Sequence, residues 1–178
     1  MQIRKTTAND IDAIMDVFAS AKCYMKANGN ASQWDDNYPG RDTLDNDIAN
    51  GNSYVFIDNG EVVGTFAFIC GEDKTYRVIE NGAWHLDAPY GTVHRLASNG
   101  SVRGLSKACF DFCTAKVSYL RADTHADNRT MQALLEAYGF QKCGTIHSFD
   151  GLALVAYDYI VRSGPPLAHW QRSVAAIL

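Results

Sequence analysis

The chain has 178 residues, of which 47 % are apolar and 20 % are charged. This composition is typical of one globular domain and argues against an intrinsically disordered protein. The formal net charge of −4 argues against a basic nucleic-acid-binding surface. No apolar run is long enough for a membrane span, and the first residues do not resemble a signal peptide. We therefore expect a cytoplasmic protein without nucleic-acid or membrane partners.

The first half of the chain predicts a strand, helices and an antiparallel pair of strands. Asn9 or Asp10 can cap a helix, because apolar residues at helical spacing follow it. The dipeptide Asn59-Gly60 predicts a type I′ hairpin, since both residues accept a positive φ. The predicted elements are a strand over 2–5, a helix from 11 that continues to 34 with a break at 28–30, a short helix over 43–49, and strands over 53–58 and 61–70.

The second half predicts strand, helix, strand and helix in alternation, followed by a hairpin around Asp150-Gly151. Gly139 ends the second of these helices as a left-handed cap. The predicted elements are a strand around 92–97, a helix from about 106, a strand over 117–123, a helix over 129–138, and strands over 141–148 and 152–161. Antiparallel strands come first and βαβα units follow, so we predict an α/β fold with a mixed sheet.

The five cysteines are odd in number and form no Cys-x-x-Cys pair. Two of them, Cys109 and Cys113, share a helix face, which is poor geometry for a disulfide and an incomplete set of metal ligands. We interpret the cysteines as reduced residues of the core and predict no metal site.

The stretch over 92–108 predicts an anion-binding site. It begins as a strand, passes through the loop residues Ser98-Asn99-Gly100-Ser101 and then enters a helix. The first N–H groups of a helix have no partner within it, and the helix dipole adds positive charge there, so a diphosphate is a suitable ligand. Neither the P-loop pattern nor the dinucleotide glycine fingerprint is present.

Two segments resemble signatures of the GCN5-related N-acetyltransferase (GNAT) superfamily. Arg103-Gly104-Leu105-Ser106-Lys107-Ala108 is similar to the coenzyme A loop of that family, with Ser106 where glycine is usual. Asn128, the helix after it and Gly139-Phe140 resemble the second signature. The resemblance covers about 2–161 and implies a GNAT fold, a mostly antiparallel central sheet with splayed central strands flanked by helices. We assign 1–162 to a GNAT domain and 163–178 to a C-terminal tail with helical spacing.

The resemblance also implies acetyl-CoA as cosubstrate and a set of residues that bind it. The pantetheine arm would pair with main-chain groups of the central strand, and the N–H groups of the loop would bind the pyrophosphate. Lys107 would meet the 3′-phosphate, and Asn128 would contact the pantetheine arm or serve only as a helix cap. The predicted cofactor-binding residues are Leu96, Ala97, Ser98, Arg103, Gly104, Leu105, Ser106, Lys107, Ala108 and Asn128.

Relatives place a glutamate where this chain has Thr92 and a tyrosine where it has Leu135, so the acid and the base depart from the family pattern. His94 is a candidate proton relay, because an unperturbed histidine titrates near neutral pH. Tyr138, one helical turn from Leu135, and His125 are further candidates. The alternatives are a structural histidine, a core aromatic and a locally bonded loop residue. Strand alternation predicts that Thr92, His94, Leu96 and Ser98 share one face.

An aromatic acceptor pocket is predicted from Trp34, Trp84 and Tyr90, with Tyr38 and His85 nearby. Such rings suit an amine with an apolar body or a cation, although they could also simply close the sheet edge. Acidic residues in the same region could attract a cationic acceptor or lie in solvent; these are Asp35, Asp36 and Asp45.

These patterns predict an N-acetyltransferase that moves an acetyl group from acetyl-CoA to a primary amine by direct attack in a ternary complex. The acceptor would be a small molecule or a peptide, and the protein a monomer or homodimer. One alternative is a GNAT-fold module that binds acyl-CoA without turnover, which Thr92 and Leu135 favour. Another is an interaction protein that docks through the tail over 167–178.

Overall fold

A seven-stranded sheet forms the centre of the protein in this computed structural model, which describes residues 1–161. The predicted tail lies outside the described residues. The strands are β1 (Gln2–Lys5), β2 (Ser53–Asp58), β3 (Glu61–Cys70), β4 (Gly91–Ser98), β5 (Tyr119–Thr124), β6 (Gln141–His147) and β7 (Ala153–Ile160). The α-helices of the described chain are α1 (Ile11–Ala27), α2 (Arg41–Ala49), α3 (Leu105–Thr114) and α4 (Arg129–Tyr138).

The strands follow the spatial order β1-β2-β3-β4-β5-β7-β6. Neighbouring strands are antiparallel except for β4 and β5, which run parallel. The connection between β4 and β5 contains α3, as a parallel pair requires. The predicted α/β fold with a mixed, mostly antiparallel sheet is therefore confirmed.

The central strands separate part-way along β4. The pairs that join β4 to β5 are Gly91 with Leu120, Thr92 with Arg121, and Val93 with Ala122. From His94 to Ser98, β4 continues beside β3 but has no partner in β5. The splaying that the family resemblance implied is confirmed, and it leaves a gap in the middle of the sheet.

A β-bulge interrupts β4 at the start of this gap. Ala97 pairs with Thr65 and His94 pairs with Ala67, so β4 contains one more residue than β3 between these pairs. Arg95 has a positive φ of 53° at this point. The bulge reverses the alternation of side chains along the rest of the strand.

The prediction that His94 and Leu96 share a face is therefore wrong. Leu96 packs with Val93 in the cluster beneath α3 and α4, whereas Ala97 packs in the cluster beneath α1 and α2. His94 lies on the face opposite Val93, where its ring contacts Tyr76 edge-on. The alternation rule failed because it assumes an uninterrupted strand.

Two layers cover the sheet. On one face, α3 and α4 bury an apolar cluster that includes Phe110, Leu120 and Leu135. On the other face, α1 and α2 cover β1 to β4, with Ile14 and Leu44 at the centre of their cluster. The segment over 71–90 covers β5, β6 and β7 on that same face, with a short 3-10 turn at Lys74–Tyr76.

The first helix is shorter than predicted. It ends at Ala27 because Gly29, at a φ of 84°, closes it with a Schellman motif. In this motif the N–H of Asn30 bonds to the carbonyl of Met25 at 2.9 Å, and the N–H of Gly29 bonds to the carbonyl of Lys26 at 3.4 Å. The predicted continuation to 34 is wrong, and this segment contains no further helix.

Candidate active site

A cavity of about 760 Å³ occupies the gap between β4 and β5. On one face of the sheet, α3 and α4 line it with residues such as Phe110 and Leu135. On the other face, α1 and the loop after it line it with Tyr24 and Trp34. The cavity therefore passes through the sheet, so two molecules that enter from opposite faces could meet at the bulge of β4.

Unpaired main-chain donors lie at the α3 end of the cavity. Within residues 1–161, the N–H groups over 103–107 have no acceptor in hydrogen-bonding distance. Gly104 precedes the helix with a φ of 84° and offers no side chain to cap it. A Cβ at Gly104 would have no neighbour within 4 Å, so the main chain there is open to a ligand. This arrangement suits a phosphate group.

Most residues predicted to bind the cofactor line this cavity. Those that do are Leu96, Ala97, Ser98, Arg103, Gly104, Leu105, Ser106 and Asn128. Asn128 also caps α4, since its Oδ1 accepts from the N–H of Met131 at 3.1 Å. Its Nδ2 donates to Oε1 of Gln33 at 2.9 Å, which ties the loop after α1 to the start of α4.

Lys107 and Ala108 are not among the lining residues. The Nζ of Lys107 pairs with Asp111 at 2.6 Å, one turn along the exposed side of α3. The side chain of Ala108 packs against the core, and its N–H already bonds to the carbonyl of Gly104 at 3.1 Å. The main-chain N–H of Lys107 has no acceptor in the described residues, and its side chain lies in an exposed ion pair.

His94 lies at the other side of the bulge, within the cavity lining and beside two carboxylates. Its Nε2 lies 3.2 Å from Oδ2 of Asp73, and its Nδ1 lies 3.8 Å from Oδ2 of Asp123. A carboxylate can only accept, so the hydrogen bond to Asp73 places the proton on Nε2. In neutral His94, Nδ1 is then the basic nitrogen, and it faces Asp123.

The groups around His94 are themselves held in place. Oδ1 of Asp73 accepts hydrogen bonds from both the N–H and the hydroxyl of Thr75. Burial alone would raise the pKa of Asp73, but the hydrogen bonds from His94 and Thr75 outweigh it and lower the pKa to about 2. Tyr76 donates its hydroxyl to Asp123, and its complete burial, together with that carboxylate, raises its pKa well above 10. Asp73 is thus kept ionised beside the histidine.

The fold matches many solved acetyltransferase structures. An acetyltransferase of the GNAT family from Streptococcus agalactiae is 34 % identical, with 91 % of this chain and 96 % of that one aligned at a TM-score of 0.80. The chain belongs to the GNAT acetyltransferase family. A GNAT structure from Listeria monocytogenes aligns over 89 % of this chain and 94 % of its own at 21 % identity and a TM-score of 0.65.

More distant GNAT structures share the fold alone. The aminoglycoside acetyltransferase AAC(6')-Ib, in complex with coenzyme A and kanamycin, is 16 % identical, with 89 % of this chain and 94 % of that one aligned at a TM-score of 0.61. No family model matches the sequence, and no curated protein does. Within the described chain, no helix combines the length and the apolar character that crossing a membrane needs.

The two positions that depart from the GNAT pattern are buried. Thr92 is fully buried and does not line the cavity. Its hydroxyl has no hydrogen-bond partner in residues 1–161. Leu135 lines the cavity as part of the apolar wall. Neither position offers an acid or a base.

Tyr138 does not line the cavity of this GNAT protein. Its ring packs among Phe110, Phe140 and Tyr159, and its hydroxyl donates to Asp111 at 3.0 Å. Burial raises the pKa of Tyr138 to about 12, and the carboxylate of Asp111 contributes to that rise. The structure therefore separates Tyr138 from His94, the other residue predicted for catalysis.

The three aromatic residues predicted for the acceptor pocket fall into two places. Trp34 lines the cavity. Trp84 and Tyr90 lie outside it, where they enclose Arg121, whose Cζ is 4.0 Å from the centre of the Trp84 ring and 3.9 Å from that of Tyr90. This cation–π stack fixes the segment over 71–90 on the sheet.

A cluster of His85, Cys143 and Asp158 anchors the same segment. In the described chain these are the one set of histidine, cysteine and acidic residues whose donor atoms lie within 4.8 Å of one another. Both carboxylate oxygens of Asp158 already accept hydrogen bonds from His85, and one also accepts from Tyr119. Burial and Asp158 raise the pKa of Cys143 to about 12, which keeps it a thiol. We interpret the cluster as a structural anchor.

Two of the three acids predicted for the acceptor region have local partners. Asp35 accepts from the N–H groups of Asn37 and Tyr38, and Asp45 pairs with Arg41. His125 lies beside Asp127 in the loop before α4. None of these acidic residues, nor Asp36 or His125, lines the cavity.

The structure adds site residues that sequence reasoning missed. Asp73, Tyr76 and Asp123 belong to three separate segments and meet only around His94. Tyr24 and Phe149 line the cavity from α1 and from the turn between β6 and β7. For Tyr24 and Phe149 the sequence offers only a weak signal, an aromatic residue in a helix and another in a turn.

A pH-dependent loss of stability tests the contacts of Asp73. The pKa of Asp73 falls from an ordinary 3.8 to about 2 in the folded protein. Its carboxylate therefore contributes up to about 2 kcal/mol above pH 4, and this contribution is lost as the pH falls towards 2. We expect Asp73→Asn to lower the free energy of unfolding at pH 7, and the difference from wild type to shrink between pH 4 and 2 in urea titrations.

Glu72→Gln is the matched control, because the neighbouring Glu72 pairs with Arg77 in solvent. It removes one carboxylate from the same segment without touching His94, and we expect little change in stability. A difference between Asp73→Asn and wild type that stays constant over this pH range would contradict the ion pair.

Proposed function

We propose that this protein transfers an acetyl group from acetyl-CoA to a primary amine by direct attack in a ternary complex. The observation that carries the proposal is the single cavity that joins the unpaired N–H groups before α3 to the basic nitrogen of His94. Two substrates held at opposite ends of it would react without a covalent enzyme intermediate.

The α3 end of the cavity fits coenzyme A. The N–H groups over 103–107 would bind the pyrophosphate, with Arg103 adding positive charge. The main chain of β4 beyond Val93 would pair with the pantetheine arm, because β5 does not use it. Acetyl-CoA, when bound, supplies the thioester carbonyl that the amine attacks.

His94 is the proposed general base. Nδ1 would take the proton that the attacking ammonium must lose, and Asp73 would stabilise the imidazolium formed on the far side of the ring. Asp123, 3.8 Å from Nδ1, would hold the ammonium before it loses that proton. Unused N–H groups of β4 at the bulge would stabilise the oxyanion. Its collapse would break the C–S bond and release coenzyme A, whose thiolate would take a proton from the imidazolium of His94.

The comparisons support acetyl transfer at the level of the family. AAC(6')-Ib binds coenzyme A and kanamycin on the same fold, and a ribosomal-protein-alanine N-acetyltransferase from Brucella melitensis also shares it, at a TM-score of 0.57. Small-molecule and protein acceptors thus both occur on this fold.

Binding of acetyl-CoA can be tested by thermal unfolding. A ligand that binds only the folded state stabilises it by about 2.7 kcal/mol at a concentration of 100 times its Kd. We expect saturating acetyl-CoA to raise the Tm by several degrees. Ser106→Glu should remove this shift, because it places negative charge among the N–H groups that would bind the pyrophosphate.

Gln141→Glu introduces the same charge change at an exposed residue of β6, outside the cavity lining. It should keep the full shift. An absent shift in wild type, or an equal shift in Ser106→Glu, would contradict the proposed coenzyme A site.

A binding module without turnover is the second candidate. It is favoured by Thr92 and Leu135, which offer neither an acid nor a base where GNAT relatives were expected to carry a glutamate and a tyrosine. Release of free coenzyme A thiol in the presence of amines distinguishes the two, since a module would show the thermal shift without thiol release.

A further inference from the structure

The charges that line the cavity are few and nearly balanced. Of the described residues, the lining carboxylates are Asp123 and Asp150, and the lining guanidinium groups are Arg95 and Arg103. Arg95 already bonds to both oxygens of Asp47, which does not line the cavity. The positive charge of Arg95 is therefore compensated within the protein, and a ligand need not supply a negative group to pair with it.

Asp123 is the more buried of the two lining carboxylates. It is largely buried and lies beside His94, whereas Asp150 sits at the turn between β6 and β7 and accepts a hydrogen bond from Ser148. One buried carboxylate compensates one ammonium. A second ammonium carried to the depth of Asp123 would lose its hydration without a partner there, because Asp150, the other lining carboxylate of the described residues, is exposed at the turn.

Aromatic rings surround the acceptor end of the cavity. Tyr24, Tyr38 and Phe149 are exposed, and Phe149 is 85 % exposed. The two hydroxyl groups are engaged, since that of Tyr24 lies 3.1 Å from the hydroxyl of Thr130 and that of Tyr38 accepts from Arg95. The faces of the three rings are left to meet a ligand, and a ring face offers apolar contact rather than hydrogen-bond partners.

We propose that the acceptor is a primary amine with one positive charge on an aromatic or branched aliphatic body. The inference rests on the proposed acetyl transfer. The ammonium binds Asp123 next to Nδ1 of His94, and the apolar body covers the exposed rings, with Phe149 closing over it from the turn. Polycations are poorer acceptors, because their further ammonium groups would meet only the exposed Asp150. Peptides are poorer acceptors, because their amide groups would lose water against the faces of the rings.

The test measures release of coenzyme A thiol with three kinds of amine, 2-phenylethylamine, spermidine and an alanine tripeptide. We expect kcat/KM for 2-phenylethylamine to exceed that for spermidine by about 100-fold, because the second and third ammonium groups find only the exposed Asp150, and an ion pair in solvent contributes little. Phe149→Ala should lower kcat/KM for 2-phenylethylamine about tenfold, chiefly through KM, because it removes apolar contact area. Kanamycin serves as a second polycation.

Val78→Ala is the matched control. Val78 is 68 % exposed and lies near Phe149 in a separate small pocket, outside the central cavity. It should leave all kinetic constants unchanged. Equal losses in Val78→Ala and Phe149→Ala would overturn the role of Phe149.

The thermal shift with acetyl-CoA, measured on the same preparations, separates the two levels of the proposal. A preference for spermidine, kanamycin or the tripeptide overturns the acceptor class and leaves acetyl transfer standing. A shift without turnover of any amine overturns the acceptor class and supports the binding module. The absence of both shift and turnover overturns the proposed function itself.

Discussion

His94→Ala is expected to lower kcat about 100-fold or more, the range that loss of a positioned general base produces. Nδ1 of His94 faces Asp123 inside the cavity, and Nε2 is held by Asp73. A water molecule that replaces the ring would be a weaker base and would lack that fixed position. The rise of kcat/KM with pH should therefore shift or flatten in the variant. Thiol-release assays from about pH 5.5 to about pH 9 measure this change, because the range brackets the ordinary pKa of histidine, about 6.5.

Two controls separate catalysis from folding. His147→Ala removes an exposed histidine outside the central cavity and should leave kcat and the pH profile unchanged. The thermal shift with acetyl-CoA should survive in His94→Ala, because the N–H groups over 103–107 are untouched. An unchanged pH profile in His94→Ala would remove this residue from the mechanism, and Asp123 would then be the base to test.

Local chemistry explains which parts of the fold could be predicted from sequence. The hairpin at Asn59 and Gly60 depends on two residues that accept positive φ, observed here at 49° and 87°. The helix over 129–138 is marked at both ends, by a capping asparagine and a left-handed Gly139. The break at 28–30 was also predicted, and α1 ends there before Gly29, but the predicted continuation of the helix to 34 was wrong.

The anion end of the site could also be predicted, because its residues are consecutive and its chemistry is that of the main chain. The helical period could have corrected one detail of this prediction, the placement of Ala108 among the residues that bind the cofactor. Ala108 lies on the same face of α3 as Leu105 and Cys109, so its side chain had to point into the core. The acid–base end of the site could not be predicted from neighbouring residues of the sequence, because Asp73 and Asp123 approach His94 only when the sheet forms.

The bulge in β4 is the feature that no local pattern indicated. An arginine has no preference for the positive φ that Arg95 adopts, and such a conformation costs roughly 1–3 kcal/mol. The contacts that compensate it come from far along the chain. Nε and Nη2 of Arg95 bond to the two oxygens of Asp47 at 2.8 and 2.7 Å, and Nη1 donates to the hydroxyl of Tyr38 at 3.3 Å.

Asp47→Ala is therefore expected to lower the free energy of unfolding by about 3 kcal/mol, the cost of leaving a buried charge without its partner. The side chains of Arg95 and Asp47 are only 12 % and 8 % exposed. Burial alone would lower the pKa of Arg95, but Tyr38 and Asp47 outweigh it and raise the pKa, so the guanidinium stays charged. Urea titration should show a lower midpoint with an unchanged slope.

Asp45→Ala is the matched control on the same helix. Its partner is Arg41, and both side chains are at least half exposed, so the expected loss is about 0.5 kcal/mol or less. Because Asp47 holds the bulge that opens the sheet, Asp47→Ala should also raise the KM for acetyl-CoA at temperatures where the variant is still folded, whereas Asp45→Ala should not. Equal stabilities of the two variants would show that the bulge is held by the strands themselves, and the gap between β4 and β5 would then need another cause.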